Sequence, residues 1–277
     1  MIALVLVLAA QAPDRLVLFA LVGQSNMSGR GALAGAPSDL LTPHLDTLGD
    51  VDVFSFGNDY AWHDAVEPID DAAGFIDTTS NDGTSAAVGP SMAFALEYVA
   101  THPGVKVGLI PCAKGSTTIH EWRRQSLVDS TLTPIRSNLY GSCLHRIKTA
   151  LSESAGSSLG GVLMSQGESD ARPTTVYAQP TTYAAQLVRW IKVLRADLDL
   201  PGLPIVFARL ATTTDATLTA WSTVKAQQTA SVPQLPRVGM IETEDLTIAA
   251  DGIHLTTAAQ VIAGQRFAHA LTSIENQ

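Results

Sequence analysis

The stretch LVLFALVGQSNMSGRG, residues 16–31, decides the fold and points to the chemistry of the protein. Its first seven residues form an unbroken apolar run, which is typical of a central β-strand covered on both faces. The run is followed by Gly23-Gln24-Ser25, and further glycines at positions 29 and 31 permit a tight turn that would expose the Ser25 hydroxyl. The sequence therefore predicts a buried strand that delivers a serine to one end of a sheet.

Outward from this strand, short apolar runs alternate with longer amphipathic stretches, which is the pattern of βα units on a parallel sheet. Further strands are predicted at residues 51–56, 105–110, 161–164, 205–210 and 237–241. Helices are predicted at residues 92–101, 140–154, 181–198 and 217–230, and a last one begins at a capping box from Thr257 to Gln260. We expect an α/β protein, a three-layer α/β/α sandwich with a central parallel sheet.

The domain organisation is predicted to be simple. One domain is expected over residues 14–277, because nothing repeats at a fixed period and no low-complexity linker divides the chain. Residues 57–89, rich in Asp, Gly, Thr and Ser, are interpreted as a long loop near one end of the sheet. Residues 1–12 indicate either a signal peptide without a basic n-region, which implies a secreted or periplasmic protein, or an extra β-strand in a cytoplasmic one.

Composition excludes several classes of partner. The 277 residues are 46% apolar, which is enough for a large core. With 17 basic and 26 acidic side chains the net charge is −9, so nucleic acid and anionic membranes are not expected as partners, and a neutral substrate fits better. No histidine or cysteine falls in a metal-ligand spacing, and we expect neither a metal nor a cofactor. Cys112 and Cys143 are interpreted as two buried free thiols in preference to one disulfide. The oligomeric state stays open.

Three more strand ends carry polar residues, and ligands of open parallel sheets bind beyond the carboxyl ends of the strands. The loop PCAKGSTTI, residues 111–119, has backbone N–H groups that could converge on an anion. SQGESD, residues 165–170, follows another apolar run directly. Asp251 and His254 are three residues apart, so the carboxylate could orient the imidazole. Each segment alone fits an ordinary loop, but their order and placement together indicate a site.

Four of these segments resemble sequence blocks of the SGNH-hydrolase superfamily, whose fold is flavodoxin-like. They are GQSNMSGRG (23–31), PCAKGSTTIHEW (111–122), QGESDA (166–171) and DGIHLTTAAQ (251–260). They are most similar to the carbohydrate acetylesterase branch, which comprises family 6 acetylxylan esterases and sialate O-acetylesterase-like domains. The resemblance spans residues 16–271. It implies a serine esterase that removes O-acetyl groups from an acetylated carbohydrate substrate through an acyl-enzyme intermediate.

The resemblance assigns a role to each matching residue. Ser25 would be the nucleophile, His254 the general base and then the general acid, and Asp251 the carboxylate that holds His254 in the productive tautomer. Glu168 competes with Asp251 for the acid role, alone or shared. The implied oxyanion hole consists of the backbone N–H groups of Ser25 and Gly115 and the side-chain amide of Gln166.

Candidate substrate contacts and departures from the family pattern complete the site. The residues expected to contact substrate are Gln24, Asn26, Arg30 and Trp122. Met164-Ser165 stand where the branch usually has Trp-His, and Ser116 replaces the second of two adjacent glycines. We expect the first difference to alter pocket shape and the second to alter loop flexibility. Neither removes a catalytic group.

Two other functions stay open from the sequence. An esterase or thioesterase acting on lipid-like or other small acyl esters would use the same residues, because a fold does not decide its substrate. A non-catalytic carbohydrate-binding relic would have the same fold as well. The presence of Ser25, Asp251 and His254 together argues against the relic, because such a protein has no physical reason to keep all three.

Overall fold

The computed structural model describes residues 15–70, 87–124 and 139–276. Their seven strands form one sheet in the order β3-β2-β4-β1-β5-β6-β7. The strands are β1 (Leu16–Gly23), β2 (Val53–Phe56), β3 (Trp62–Asp64), β4 (Lys106–Pro111), β5 (Ser158–Ser165), β6 (Ile205–Ala208) and β7 (Val238–Ile241). The helices are α1 (Ser25–Ser28), α2 (Ser91–Thr101), α3 (Leu139–Glu153), α4 (Tyr183–Asp197), α5 (Trp221–Ser231) and α6 (Thr257–Glu275). Residues 1–12, expected to be a signal peptide or an extra strand, lie outside the described residues.

The predicted three-layer α/β/α architecture is confirmed. All neighbouring strands pair in parallel except β2 and β3. Strand β1 lies at the centre, and its apolar side chains alternate between two cores: Leu18 and Ala20 pack with helices α3, α4 and α5, whereas Phe19 and Leu21 pack with α2 and α6. Burial on both faces explains why this strand is an unbroken apolar run.

Strand β3 is a difference from the sequence prediction, which placed residues 57–89 in a loop. A tight turn, closed by the Gly57 N–H donating to the Ala61 carbonyl oxygen at 2.8 Å, returns the chain antiparallel to β2. Only the first residue of β3, Trp62, is buried, and its ring packs 5.1 Å from that of Phe56. One apolar residue in a three-residue edge strand leaves no alternation for a sequence pattern to detect.

Cys112 and Cys143 form a disulfide, so the expectation of two free thiols is wrong. Cys112 directly follows β4 and Cys143 lies in the second turn of α3, and packing of α3 on the sheet brings their Cα atoms to 5.4 Å. That separation is within the range that a disulfide spans. Both residues are buried, as expected, but burial alone did not reveal that they face each other.

The start of α6 differs by one residue from the predicted capping box. Thr256 is the cap, and its side-chain oxygen accepts from the Ala259 N–H at 3.4 Å. The Thr257 hydroxyl instead donates to the Ala32 carbonyl oxygen at 2.8 Å, which ties the helix to the loop after α1. Within the three described ranges, no helix is long and apolar enough to cross a membrane, and no three His, Cys, Asp or Glu side chains gather as a metal site would require.

Candidate active site

The end of β1 delivers Ser25 to the carboxyl edge of the sheet. Gly23 has φ +132°, and a Cβ there would lie 2.0 Å from the Ser165 carbonyl oxygen, so only glycine fits. The Lys114 N–H donates to the Gly23 carbonyl oxygen at 2.9 Å, which draws the loop after β4 onto this turn. Ser25 then begins α1, and among the described residues its backbone N–H has no acceptor. This N–H is therefore available to a ligand.

A continuous hydrogen-bonded chain joins the Ser25 hydroxyl to a carboxylate. Ser25 Oγ lies 2.8 Å from His254 Nε2, and His254 Nδ1 lies 2.7 Å from Asp251 Oδ2. Gly252 makes the turn between the two acid-base residues possible, because its φ is +79° and a Cβ would lie 2.4 Å from Thr214 Oγ1. In this arrangement the imidazole can take a proton from the hydroxyl while the carboxylate stabilises the positive charge that results.

Asp251 is kept ionised by its local hydrogen bonds. Partial burial tends to raise the pKa of Asp251, but the backbone N–H groups of His254 and Ile253 and the His254 ring outweigh burial and hold the pKa below its ordinary value. The two N–H groups donate to Oδ1 at 3.0 and 2.9 Å, which leaves Oδ2 for the ring. A side chain that is 49% exposed also remains in contact with water. Asp251 therefore presents a negative charge to His254 at neutral pH.

Glu168 is placed differently from Asp251. Its side chain is buried, and burial raises its pKa, although the Asn26 hydrogen bond and the nearby His254 act in the opposite direction. Glu168 Oε1 accepts from Asn26 Nδ2 at 2.7 Å, while Oε2 has no partner among the described residues. The structure thus brings Asp251 into contact with His254 and connects Glu168 to the site through Asn26.

Asn26 links three segments of the site. Besides its bond to Glu168, its Nδ2 lies 3.4 Å from the Ile253 carbonyl oxygen. Its Oδ1 accepts from the Leu255 N–H at 3.0 Å and is 3.5 Å from Gln260 Nε2. Both ends of the amide are therefore engaged by the protein. This geometry favours a positioning role for Asn26 over the predicted contact with substrate.

Gln166 lies beneath the site, contrary to its expected place in the oxyanion hole. Its side chain is 1% exposed, and Nε2 donates to Asp170 Oδ2 at 2.7 Å and to the Thr117 carbonyl oxygen at 2.9 Å. Its Oε1 accepts from the Tyr183 hydroxyl at 2.7 Å. Because both amide hydrogens are used inside the protein, the Gln166 side chain has none left to donate to a substrate oxygen. The buried carboxyl group of Asp170 is what draws it away.

The loop after β4 places Gly115 beside the Ser25 turn, one residue after the Lys114 N–H that contacts Gly23. The next residue, Ser116, has φ +57°, in the left-handed region that glycine adopts freely. This conformation explains why a glycine suits the position in the acetylesterase pattern, and a serine there is strained by roughly 1–2 kcal/mol. A serine in place of glycine at position 116 therefore strains the backbone, in addition to the expected change in loop flexibility.

The other residues expected to contact substrate differ in burial. Trp122 is fully buried, with its indole N–H donating to Thr117 Oγ1 at 3.1 Å, so the expectation that it contacts substrate is wrong. Gln24 is also buried, and its Oε1 lies 3.4 Å from the Ser169 N–H. Of the four, Asn26 lines a small cavity of about 20 Å³, whereas Arg30 lines one of about 710 Å³ beside the start of α6. Arg30 is therefore the candidate with the most room beside it.

Sequence reasoning missed the buried polar layer under the site. Asp170 accepts from Gln166 and from the Ile119 N–H at 2.9 Å, and burial raises the pKa of Asp170 to about 7. Tyr183, at the start of α4, holds Gln166 from the other side. The only sequence signal for this layer was the polar cluster directly after β5, because Tyr183 stands in an ordinary amphipathic pattern.

A serine, a histidine and an aspartate joined in this order at the carboxyl edge of a central parallel sheet are the arrangement of a serine hydrolase, and with the four sequence blocks they fit the class of SGNH hydrolases. A family model described as carbohydrate esterase, sialic acid-specific acetylesterase, matches residues 15–273. The chain belongs to this family, which confirms the resemblance of the four sequence blocks. It is therefore a carboxylic ester hydrolase with acetylesterase activity on carbohydrates.

Individual relatives agree with this assignment. A protein of Arabidopsis thaliana described as a probable carbohydrate esterase is 32% identical over 266 residues, which are 92% of this chain and 90% of that protein. The crystal structure of this same Arabidopsis thaliana protein at 1.6 Å resolution has a TM-score of 0.74 and 30% identity, covering 94% of this chain and 98% of that one. A carbohydrate acetylesterase from Xanthomonas citri shares the fold, with a TM-score of 0.65 at 20% identity over 93% of this chain and 56% of that one.

Proposed function

We propose that this enzyme removes O-acetyl groups from carbohydrate by a serine-esterase mechanism with an acetyl-enzyme intermediate. The observation that carries the proposal is the chain from Ser25 Oγ through His254 to Asp251, with separations of 2.8 and 2.7 Å. Both distances are those of hydrogen bonds in a nucleophile–base–carboxylate triad. An acetylated polysaccharide such as acetylxylan or an O-acetylated sugar is the proposed substrate.

The reaction proceeds in two steps. Ser25 Oγ attacks the acetyl carbonyl carbon and transfers its proton to His254 Nε2, and collapse of the tetrahedral intermediate breaks the ester C–O bond. The imidazolium gives the proton to the departing sugar oxygen, which leaves acetyl-Ser25 and a free sugar hydroxyl. A water molecule, deprotonated by His254, then attacks the acetyl group. Acetate leaves and the proton returns to Ser25.

The oxyanion hole is proposed to use backbone donors. The N–H of Ser25 has no acceptor among the described residues, and Gly115 lies on the adjoining loop. These two groups would donate to the negative oxygen of the tetrahedral intermediate, where such contacts strengthen as charge develops. The bonds of Gln166 to Asp170 and Thr117 support leaving its side chain out of this role.

We also propose that the enzyme works in a secretory or periplasmic compartment. The support is the disulfide between Cys112 and Cys143, because disulfides persist in oxidising compartments and are rare in the cytosol. Localisation of a tagged full-length protein by cell fractionation tests this proposal. Recovery in the cytosol with both thiols free would contradict it.

Substitution of the nucleophile tests the mechanism. Ser25→Ala is expected to lower kcat on 4-nitrophenyl acetate and on acetylated xylo-oligosaccharides by roughly 10⁴-fold, because a triad nucleophile has no substitute. The melting temperature should hardly change, and an organophosphonate should label Ser25 in the unaltered protein, as seen by mass spectrometry. Ser152→Ala removes an exposed serine on α3 and serves as the control. Full activity of Ser25→Ala would refute the mechanism.

A further inference from the structure

The carboxylate of the triad lies on an exposed turn. A hairpin closed by an antiparallel bridge between Ile248 and Leu255 has Asp251 near its tip. The Asp251 side chain is 49% exposed, and its partners among the described residues are the His254 ring and the backbone N–H groups of Ile253 and His254. All of these groups belong to the same turn. The position of the carboxylate therefore depends on what holds the turn itself.

Asn26 anchors one side of this turn. Its Oδ1 accepts from the Leu255 N–H at 3.0 Å, and its Nδ2 lies 3.4 Å from the Ile253 carbonyl oxygen. Both contacts are made on the part of the turn that leads into α6. The Gly252 peptide has a different anchor, the loop after β6, which comprises residues 209–220.

The Gly252 carbonyl oxygen, one residue after the carboxylate, accepts two hydrogen bonds from the loop after β6. The Thr213 hydroxyl donates to it at 2.7 Å and the Thr214 N–H donates to it at 3.1 Å. The two segments are packed closely, because a Cβ at position 252 would lie 2.4 Å from Thr214 Oγ1 and 3.1 Å from the Asp215 backbone nitrogen. The loop after β6 therefore fixes the peptide that joins Asp251 to the rest of the turn.

The Thr213 hydroxyl has a fixed direction. Its oxygen accepts from the Asp215 N–H at 3.1 Å, so its hydrogen is left for the Gly252 carbonyl oxygen. Asp215 is itself held, because its Oδ2 accepts from Arg172 Nη2 at 2.7 Å. Arg172 lies on the loop after β5, which also carries Glu168. A chain of polar contacts thus runs from the loop after β5, through Thr213, to the turn of the triad.

The loop after β6 has other contacts that keep its shape without this hydroxyl. Asp215 Oδ1 accepts from the Thr217 N–H at 2.8 Å and from the Thr217 hydroxyl at 2.6 Å. The Trp221 indole N–H donates to the Ala211 carbonyl oxygen at 2.7 Å. Removal of the Thr213 hydroxyl therefore loosens the turn of the triad and leaves the loop in place.

We propose that Thr213 is a positioning residue for the acetylesterase reaction, whose hydroxyl acts through the Gly252 carbonyl oxygen to hold Asp251 at hydrogen-bonding distance from His254. The proposal rests on the serine-esterase mechanism proposed above. Among the described residues, Thr213 has no hydrogen bond to a triad side chain, so it acts only through the turn. A catalytic group that is misplaced by about 1 Å costs up to about 100-fold in rate, so a loosened turn should slow the reaction.

Removal of the hydroxyl tests this role by kinetics. Thr213→Val keeps the branched shape of the side chain, and we expect it to lower kcat on 4-nitrophenyl acetate roughly 10-fold, because one of the two donors to Gly252 remains. KM should stay within about two-fold, since no substrate contact is lost. Labelling of Ser25 by an organophosphonate should slow by the same factor as kcat, because that reaction also needs His254 to activate the hydroxyl. Thr213→Ala should show the same loss, and Thr213→Ser should recover the activity.

A matched variant and a double variant locate the effect. Thr229→Val removes a hydroxyl that donates to the Lys225 carbonyl oxygen on α5 at 3.1 Å, and it should leave kcat and labelling unchanged. In the Asp251→Asn background, Thr213→Val should have almost no further effect, because the carboxylate that it positions is gone. Normal kcat in Thr213→Val, an equal loss in Thr213→Ser, or the full loss in the Asp251→Asn background would each overturn the proposal. Failure of the esterase mechanism is distinguishable, because Ser25→Ala would then remain active.

Discussion

Two carboxyl groups lie close to His254, and their surroundings give them different properties. Asp251 is half-exposed, hydrogen-bonded by two backbone N–H groups, and has a lowered pKa. Glu168 is buried, and its pKa is raised by loss of water. A group that must stay negative beside an imidazolium is best served by the first environment. The geometry therefore favours Asp251 as the acid member of the triad and gives Glu168 the task of holding Asn26.

Isosteric amides distinguish these tasks. Asp251→Asn is expected to lower kcat on an acetate ester by roughly 10³–10⁴-fold, because the amide neither stabilises the imidazolium nor selects the productive tautomer. Glu168→Gln should cost about 10-fold or less, since a side-chain oxygen can still accept from Asn26 Nδ2. Steady-state kinetics on the two single variants, the double variant and His254→Ala provide the measurement.

The double variant, compared with His254→Ala, shows whether the two carboxyl groups act through His254. Residues that act as one unit are not additive, so the double variant should fall nearly to the level of His254→Ala. An inactive Glu168→Gln beside a normal Asp251→Asn would reverse the assignment of the two carboxyl groups.

At the scale of residues, the sequence predicted those site residues whose positions are set by their neighbours in the chain. Ser25, Asp251 and His254 each follow an apolar run or precede a capped helix, and the structure brings the three side chains into contact. Trp122 and Gln166 were misplaced because their positions depend on neighbours far along the chain. The Gln166 amide is drawn away by Asp170 and Tyr183, which no spacing rule connects to it.

At the scale of elements, Asn26 holds α1, the loop after β5 and the segment before α6 in one arrangement. Asn26→Ala would leave the Leu255 N–H and Glu168 without their partner. Each buried unsatisfied group costs about 1–3 kcal/mol, so the free energy of unfolding should fall measurably. We expect kcat to fall about 10-fold or more with a smaller change in KM, because the Ser25–His254 distance is no longer fixed.

Urea denaturation and steady-state kinetics on Asn26→Ala give the two measurements. Asn26→Asp is a useful companion because it keeps the shape of the side chain and the Oδ1 acceptor but replaces the donor to Glu168 with a second carboxyl group. We expect it to be impaired as well. A variant that loses stability and keeps normal kcat would show that Asn26 has no positioning role.

The Cys112–Cys143 disulfide connects the end of β4 to α3 across 31 residues of sequence. Closing a loop of this size removes freedom from the unfolded chain, which is worth about 3–4 kcal/mol in the chain-entropy model. Cys112→Ala combined with Cys143→Ala should therefore unfold at a lower urea concentration than the unaltered protein. A reductant should shift the midpoint of the unaltered protein only, and equal shifts in both would contradict a structural disulfide.

The predictions of helices and strands succeeded where an element is determined by its own sequence pattern and failed where it depends on contacts with distant segments. Strands β1, β4 and β5 are buried on both faces, so their apolar runs identified them, and helices α2 to α6 appeared within a few residues of their predicted bounds. Strand β3 was missed because pairing with β2 creates it, and the disulfide was missed because the packing of α3 creates it. The sequence prediction placed the cap of α6 at Thr257, although Thr256 is the cap in the structure, because both residues fit a capping pattern.

At the scale of the whole molecule, the sheet topology explains why the site is where it is. From β1 the strand order runs to β4 and β2 on one side and to β5, β6 and β7 on the other. The loops after β1, β4 and β5 therefore separate at this point and leave a crevice at the carboxyl edge, which is the usual ligand site of an open α/β sheet. Ser25, Gly115 and Glu168 belong to these three loops.

The polar layer under that crevice couples stability to pH. Asp170 is fully buried, its Oδ1 has no partner among the described residues, and burial raises its pKa from 3.8 to about 7. The folded protein therefore keeps this proton up to about pH 7, whereas the unfolded chain releases it near pH 3.8. The protonated Asp170 therefore contributes its full stabilisation of the folded protein below pH 3.8. This contribution decreases as pH rises above 3.8 and is lost once pH has passed through about 7.

Asp170→Asn isolates this contribution, because the amide is neutral at every pH. Relative to the variant, the unaltered protein should lose unfolding free energy between about pH 4 and pH 7, by at most about 1.4 kcal/mol per pH unit, and the difference should level off above that range. Urea denaturation from pH 4 to 8 measures it. Asp245→Asn is the control: its pairing with Arg266 lowers the pKa of Asp245 to about 2, so the contribution of this group changes only at lower pH and the two curves should run parallel from pH 5 to 8. Parallel curves for Asp170→Asn as well would mean that Asp170 is ionised in the folded protein, with a cation or solvent reaching Oδ1 beneath the triad.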